Sequence, residues 1–247
     1  MNKRSVWISI IAIALSFIAG FLLANAFNRG EMDTIKGEND RLREAQASHT
    51  RDASQATLSD EEINEKIAKA DQKTGNFQFQ KNLGLALYRY SAMKKDSRIL
   101  SSALRLLERA NAINSDDRDV HIGLGHAYFD VGYYDKDNKS FETAREFYGK
   151  ALTRTPKDVE IRTELGLTYY LQEPPDLRLA VEQFEASLKI DPTHEKTLQF
   201  LIQSLAKQNE GERAGQFLDQ LKKVNPQSDA LPELSSIVSQ TDNAPVK

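Results

Sequence analysis

The sequence predicts an all-α protein: a solenoid of about four helical hairpins with a capping helix, preceded by a transmembrane helix and a short stalk helix. Three observations support this fold class. A long uncharged apolar stretch lies near the N-terminus, and prolines close three of four similar units. Within those units the same residue types recur at matching positions, beginning with Leu83, Leu124, Leu165 and Leu201.

The composition excludes several classes of function. The 247 residues include 33 basic and 36 acidic side chains, and three of the bases but no acid lie in the first 30 residues. The rest therefore carries a net charge of −6, which argues against a nucleic-acid partner, since phosphate binding needs a basic surface. The absence of cysteine excludes disulfides, thiolate metal sites and a cysteine nucleophile.

Residues 1–29 are predicted to form a signal anchor or transmembrane helix. The stretch from Val6 to Phe27 holds 22 residues without a charge, enough to cross a hydrocarbon core of about 30 Å as a helix. Cleavage after Ala26 is the alternative, because Ala24-Asn25-Ala26 fits a signal peptidase site. The stretch exceeds the usual apolar region of such peptides, about 7 to 15 residues, so an uncleaved anchor is favoured.

This interpretation predicts a single-pass membrane protein. The charges flanking the span do not decide its orientation. We expect the bulk of the chain to be periplasmic or otherwise extracytoplasmic, because large domains cross the membrane largely regardless of charge and short basic N-termini stay inside.

Two short patterns favour a parallel homodimer. Small side chains recur every fourth position in the apolar span, and a two-heptad pattern with a polar residue follows it in the juxtamembrane segment, residues 30–58. The first set is Ala12, Ser16, Gly20 and Ala24, and the second is Met32, Ile35, Asn39 and Leu42. Alanine-rich spans also produce such stripes by chance. Residues 46–58 are polar without periodicity and are predicted to be a flexible linker.

The solenoid is predicted over residues 59–240. Ser59 followed by Glu62 forms a capping box, which indicates a first helix from about Asp60 to Lys73. The four repeats are predicted at about 77–116, 117–156, 159–192 and 193–226. A capping helix follows at 229–240, where it covers the last repeat, and the tail 241–247 is predicted to be disordered.

Equivalent positions define the repeats. A Leu-Gly pair, or Leu201-Ile202 in the fourth unit, is expected to open a first helix. The second helix carries an alanine and, four residues later, a large residue. The alanines are Ala103, Ala144, Ala180 and Ala214, and the large residues are Leu107, Tyr148, Phe184 and Leu218.

This pattern resembles the tetratricopeptide repeat (TPR), a unit of about 34 residues, and the resemblance covers residues 77–226. The first two units depart from it. Their glycine and alanine are 19 residues apart, which indicates inserts near 92–100 and 132–140. The resemblance implies an α-solenoid that binds a protein or peptide on its concave face, lined by the first helix of each hairpin.

Three consecutive repeats place an aromatic residue at an equivalent position on that face: Tyr88, Phe129 and Tyr170. Aromatics supply large contact area, so this aromatic ladder is the candidate partner-binding surface. The alternative is that the three rings pack against neighbouring helices. The same face is predicted to carry Lys81, Arg89, His126, Asp130, Lys196, Gln199, Gln203 and Lys207, together with Gln78 and Thr163.

The TPR proteins that bind chaperone tails clamp a terminal carboxylate with lysine and asparagine. Lys81 fits the lysine position, but Leu85 stands where the asparagine is expected. That ligand is therefore not expected here, whereas another peptide or an extended strand remains open.

No catalytic constellation is present in the sequence, so we expect no enzyme activity, metal or cofactor. His121 and His126 are five residues apart and do not share a helical face as a zinc pair would. The resemblance to single-anchor TPR proteins implies a membrane-anchored scaffold in the inner membrane of a bacterium, acting in a cell-envelope assembly process. The alternatives are a self-associating structural module and, after signal cleavage, a secreted soluble TPR protein.

Overall fold

The computed structural model describes residues 59–242, and ten α-helices make up this part of the chain. The predicted apolar span, dimer stripes, stalk and linker, and the last five residues, lie outside the described residues. None of the helices between residues 59 and 242 is long and apolar enough to cross a membrane.

The first described helix, α1, spans Asp60–Gln72 and begins at the predicted capping box. The Glu62 N–H donates to Ser59 Oγ at 3.2 Å, and the Ser59 N–H donates to Glu62 Oε2 at 2.8 Å. Two N–H groups that the first turn leaves without helical partners are satisfied in this way. The predicted first helix is confirmed to within one residue.

Eight helices then form four antiparallel hairpins, and a tenth helix follows. The hairpins are α2 (Phe77–Lys94) with α3 (Ser97–Ile113), α4 (Arg118–Asp135) with α5 (Asn138–Arg154), α6 (Val159–Leu171) with α7 (Leu177–Leu188), and α8 (Glu195–Lys207) with α9 (Gly211–Val224). The last helix, α10, spans Leu231–Asp242 and packs against α8 and α9. The predicted all-helical repeat fold is confirmed, and α10 begins and ends two residues later than predicted.

The helix boundaries follow from the chain's aspartates and asparagines. Side-chain oxygens at the N-caps of α2 to α7 accept hydrogen bonds from backbone N–H groups of the first turn. These residues are Asn76, Asp96, Asp117, Asp137, Asp158 and Asp176. Each such cap contributes about 1 kcal/mol, so the sequence sets where the hairpins begin.

Two layers arise from the stacking of the hairpins. The first helices contact one another in the order α2, α4, α6 and α8, and each second helix packs against the first helix of the next hairpin. The exposed side of the layer formed by α2, α4, α6 and α8 is called the groove face below. It corresponds to the face on which the aromatic ladder is predicted.

The Leu-Gly pairs lie about two turns inside the first helices and do not open them as predicted. They mark where the two helices of a hairpin cross. A Cβ atom at Gly84 would lie 2.9 Å from Leu107 Cγ, and one at Gly125 would lie 2.5 Å from Tyr148 Cε1. The repeated glycine therefore makes room for the repeated large residue of the second helix.

The inserts predicted in the first two repeats are extra helical turns and not loops. Helices α2 and α4 have 18 residues, whereas α6 and α8 have 13, a difference of about one and a half turns. Only two residues separate the helices of the long hairpins. Lys95 and Lys136 begin these turns in left-handed conformation, with φ of 55° and 53°. The two long hairpins thus extend beyond the two short ones.

Candidate functional site

The three residues of the aromatic ladder are half-buried, and each contacts another ring. The Tyr88 ring stacks on His126, with centroids 6.0 Å apart. The Phe129 ring meets Phe141 edge-on at 5.7 Å, and the Tyr170 ring meets Phe200 in the same way at 5.6 Å. Both interpretations of the ladder thus describe part of the geometry: the rings pack against neighbours, and each keeps an accessible portion.

Tyr170 is the best-defined member of the ladder. Its hydroxyl donates to Gln203 Oε1 at 2.9 Å, and the Lys207 Nζ lies 4.1 Å from the ring centroid. Both partners come from α8, one repeat further along. The structure thus brings together three predicted site residues from two repeats, and the cation–π contact fixes a positive charge beside the ring.

Lys196, a predicted site residue, forms an ion pair with Glu164 of α6. The Glu164 side chain is only 14% exposed, whereas that of Lys196 is 42% exposed. Glu164 was not predicted as a site residue, because its partner lies in the next repeat and sequence spacing does not give the rotation between repeats. This pair joins α6 to α8 on the groove face.

His126 lies in the middle of the groove face with its ring between two tyrosines. Its Nδ1 is 2.9 Å from the hydroxyl of Tyr148, which is fully buried and comes from α5. Burial lowers the pKa of His126 below its usual value of 6.5, so the imidazole is neutral at pH 7. Tyr148 was predicted only as a core residue, and its role in orienting His126 was not foreseen.

Asp130 is a largely buried carboxylate on the groove face. Burial raises its pKa from 3.8 to about 6, and the negative charge of Glu164 adds to this, while a hydrogen bond from Tyr88 opposes it. Among the described residues, no basic side chain lies within ion-pair distance of its carboxylate, which distinguishes it from Glu164. The cost of burying Asp130 is therefore only partly offset, by Tyr88.

Lys81 is held by α4 and is not free on the groove face. Its Nζ lies 2.8 Å from Asp117 Oδ2 and 2.9 Å from Asp119 Oδ2. Asp117 is also the N-cap of α4. A lysine already bound to two carboxylates is a poor clamp for a third, which agrees with the departure from the carboxylate-clamp pattern at Leu85.

Other predicted site residues lie apart from this arrangement. Thr163 has no exposed surface, and its hydroxyl lies 2.9 Å from Ser187 Oγ and 2.7 Å from Thr197 Oγ1. Its predicted place on the groove face is therefore wrong, because three hydroxyls pair with one another between the helices. Gln199 donates to Glu195 on its own helix at 3.0 Å, while Gln78 and Arg89 are exposed on α2.

Between residues 59 and 242, no three histidine, aspartate or glutamate side chains are grouped closely enough to hold a metal ion. The titratable side chains of the groove face instead pair with tyrosine hydroxyls or with one another, as described for His126, Asp130 and Glu164.

Solved structures of MamA share this architecture. MamA from Desulfovibrio magneticus RS-1, from residue 41 to its end, matches with a TM-score of 0.57 at 13% identity, covering 75% of this chain and 96% of that one. A second MamA structure matches with a TM-score of 0.55 at 15% identity, covering 67% and 87%. MamA from AMB-1 matches with a TM-score of 0.51 at 20% identity, covering 68% and 86%.

The fold is of the TPR type. Likeness at these identities establishes the helical architecture and carries no activity with it. Comparison with protein-family models and with curated proteins gives no match.

Proposed function

We propose that this chain is a membrane-anchored scaffold that binds a protein or extended peptide along its groove face, within a cell-envelope assembly process. The observation that supports this best is the arrangement around Tyr170, where a half-buried ring lies beside the Lys207 ammonium and the Gln203 amide. An aromatic surface edged by a cation and an amide offers both the apolar anchor and the polar contacts that binding hot spots use.

The groove face is ordered before any partner arrives. Tyr88, Tyr170 and Lys196 are each held by a contact to a neighbouring repeat. A surface whose side chains are already held loses little side-chain entropy on binding. These contacts also hold the titratable side chains of His126, Lys196 and Glu164. Side chains held in this way are less available for proton transfer, which favours binding over catalysis.

Membrane attachment belongs to the proposal and rests on the sequence. The uncharged stretch from Val6 to Phe27 is long enough for a single span. We place the repeats outside the cytoplasm, with the small-residue and heptad stripes joining two anchors. Protease protection on intact cells tests the side of the membrane: digestion of the repeats only after the outer barrier is opened supports a periplasmic location.

A triple variant tests groove binding. The variant combines three substitutions in the full chain: Tyr88→Ala, Phe129→Ala and Tyr170→Ala. The control is Ile113→Ala, which removes an exposed apolar side chain at the end of α3. Proteins crosslinked to the chain in intact envelopes are identified by mass spectrometry, and thermal melting verifies folding. We expect the triple variant to lose its partners while its oligomeric state is unchanged.

A self-associating structural module gives the opposite result. In that case the triple variant keeps the same crosslinked proteins, and its assembly into oligomers is what changes. The Ile113→Ala control should behave as the unaltered chain under the scaffold proposal, since Ile113 lies outside the aromatic ladder.

A further inference from the structure

A cavity of about 130 Å³ lies between the last turns of α2 and α4 and the first turns of α3. Ser91, Ala92 and Lys95 line one side of it, and Asp130, Val131 and Tyr134 line the other. These turns belong to the extension that the 18-residue helices have over the 13-residue helices of the later repeats. The cavity is therefore a feature of the two long hairpins.

The volume of the cavity limits its occupant. Sites for drug-sized molecules enclose about 300 to 1,000 Å³. A cavity of roughly 150 Å³ accepts a group the size of benzene. At about 130 Å³ this one has room for a single large side chain, but not for a cofactor or a folded segment.

The charges around the cavity favour a cation. Asp96, Asp130 and Asp135 line it, and Lys95 is the single base among its lining residues. Asp96 is already engaged, since it caps α3 and pairs with Arg98 at 2.9 Å. Asp130 differs, because it is largely buried and lacks a basic partner among the described residues. A positive group placed in the cavity would offset the cost of burying that carboxylate.

The cavity adjoins the aromatic ladder. Tyr88 interacts with Asp130 closely enough to affect the pKa of both groups, so the first residue of the ladder lies next to the cavity wall. Tyr134 also lines the cavity, and its ring lies 5.4 Å from that of Tyr133, centroid to centroid. The two tyrosines are 58% and 55% exposed. Tyrosine faces of this kind attract guanidinium and ammonium groups.

We propose that this cavity receives an arginine or lysine side chain of the partner segment, with Asp130 as its counter-ion. The proposal rests on the proposed function, because it needs a segment bound along the groove face. It specifies the sequence of the partner: the bound segment carries a basic residue at the position that passes Tyr88.

Fluorescent dodecapeptide pools, random except for one fixed central residue, provide the probe. The fixed residue is arginine, lysine, citrulline, alanine or glutamate, and anisotropy with the full chain in detergent measures binding. Citrulline matches arginine in shape without its charge. We expect the arginine and lysine pools to bind about tenfold more tightly than the citrulline pool, the range of a charge-assisted contact.

The variant Asp130→Asn should remove that preference while keeping the acceptor for Tyr88. Asp219→Asn, an exposed carboxylate on α9, is the matched control and should retain it. Binding that is lost in Tyr170→Ala but shows no preference for a basic residue overturns this inference and leaves the proposed function standing. Failure of every pool to bind overturns both.

Discussion

The ring of Phe184 fills the space that a side chain at Gly166 would need: a Cβ atom there would lie 2.5 Å from Phe184 Cε1. Phe184 is fully buried on α7. The same relationship joins Gly125 to Tyr148. In the fourth repeat Ile202 takes the place of the glycine and Leu218 takes the place of the aromatic ring.

Gly166→Ala should therefore destabilise the solenoid by about 1 to 2 kcal/mol. Overpacking costs about 1 to 3 kcal/mol, and the better helix propensity of alanine recovers up to about 1 kcal/mol. Gly149→Ala is the matched control, because a Cβ there has no neighbour within 4 Å. Urea unfolding should show Gly149→Ala stabilised by about 0.5 to 1 kcal/mol. Equal effects of the two substitutions would contradict the crossing described here.

Asp130→Asn should raise the stability of the fold at neutral pH. The folded-state pKa of Asp130 is raised to about 6 from 3.8. The folded state thus binds the proton more tightly than the unfolded chain, and its stability falls as pH rises from about 4 through 6. Since the residue is partly exposed, we expect a gain of about 2 to 4 °C in Tm above pH 7, corresponding to ~1 kcal/mol.

The pH dependence isolates this effect. Tyr88 from α2, Tyr148 from α5 and Glu164 from α6 interact electrostatically with Asp130, and His126 titrates nearby with a lowered pKa. These groups are common to both proteins, so the difference in Tm between the variant and the unaltered chain should be near zero at pH 4 and grow up to pH 7. A difference independent of pH would show that Asp130 is not the group responsible.

Lys136→Gly should stabilise the turn between α4 and α5. Lys136 has a φ of 53°, a conformation that costs a side chain about 1 kcal/mol or more and costs glycine nothing. Allowing for the entropy that glycine adds to the unfolded chain, we expect a net gain of roughly 0.5 kcal/mol in thermal unfolding. Lys189→Gly, at a C-cap with φ of −66°, should lose stability. A loss in both variants would contradict this account.

Thr163→Val should cost about 1 to 2 kcal/mol, because it leaves the buried hydroxyls of Ser187 and Thr197 without a shared partner. The two side chains have nearly the same shape, so packing is preserved. Thr143→Val is the control, since the Thr143 hydroxyl donates to Lys139 O at an exposed position. Chemical denaturation of the control should agree with the unaltered chain to within about 0.5 kcal/mol.

The repeat architecture could be predicted from the sequence because glycine, alanine and proline recur at matching positions in successive units. The sequence did not show that residues 92–100 and 132–140 extend helices, since added turns preserve the apolar face and leave the pattern unchanged. The partners of Tyr88 and Lys196 depend on the rotation between successive repeats, which one sequence does not determine. Thr163 was misplaced for the same reason.

Site-specific photocrosslinking in intact cells tests the central proposal most directly. A photoreactive amino acid is placed at Gln203 on the groove face or at Gln216, which is exposed on α9. We expect one partner protein to be captured from position 203 and not from position 216, with capture lost in Tyr170→Ala. Capture from position 216 alone, or of only a second copy of this chain from position 203, would contradict groove binding.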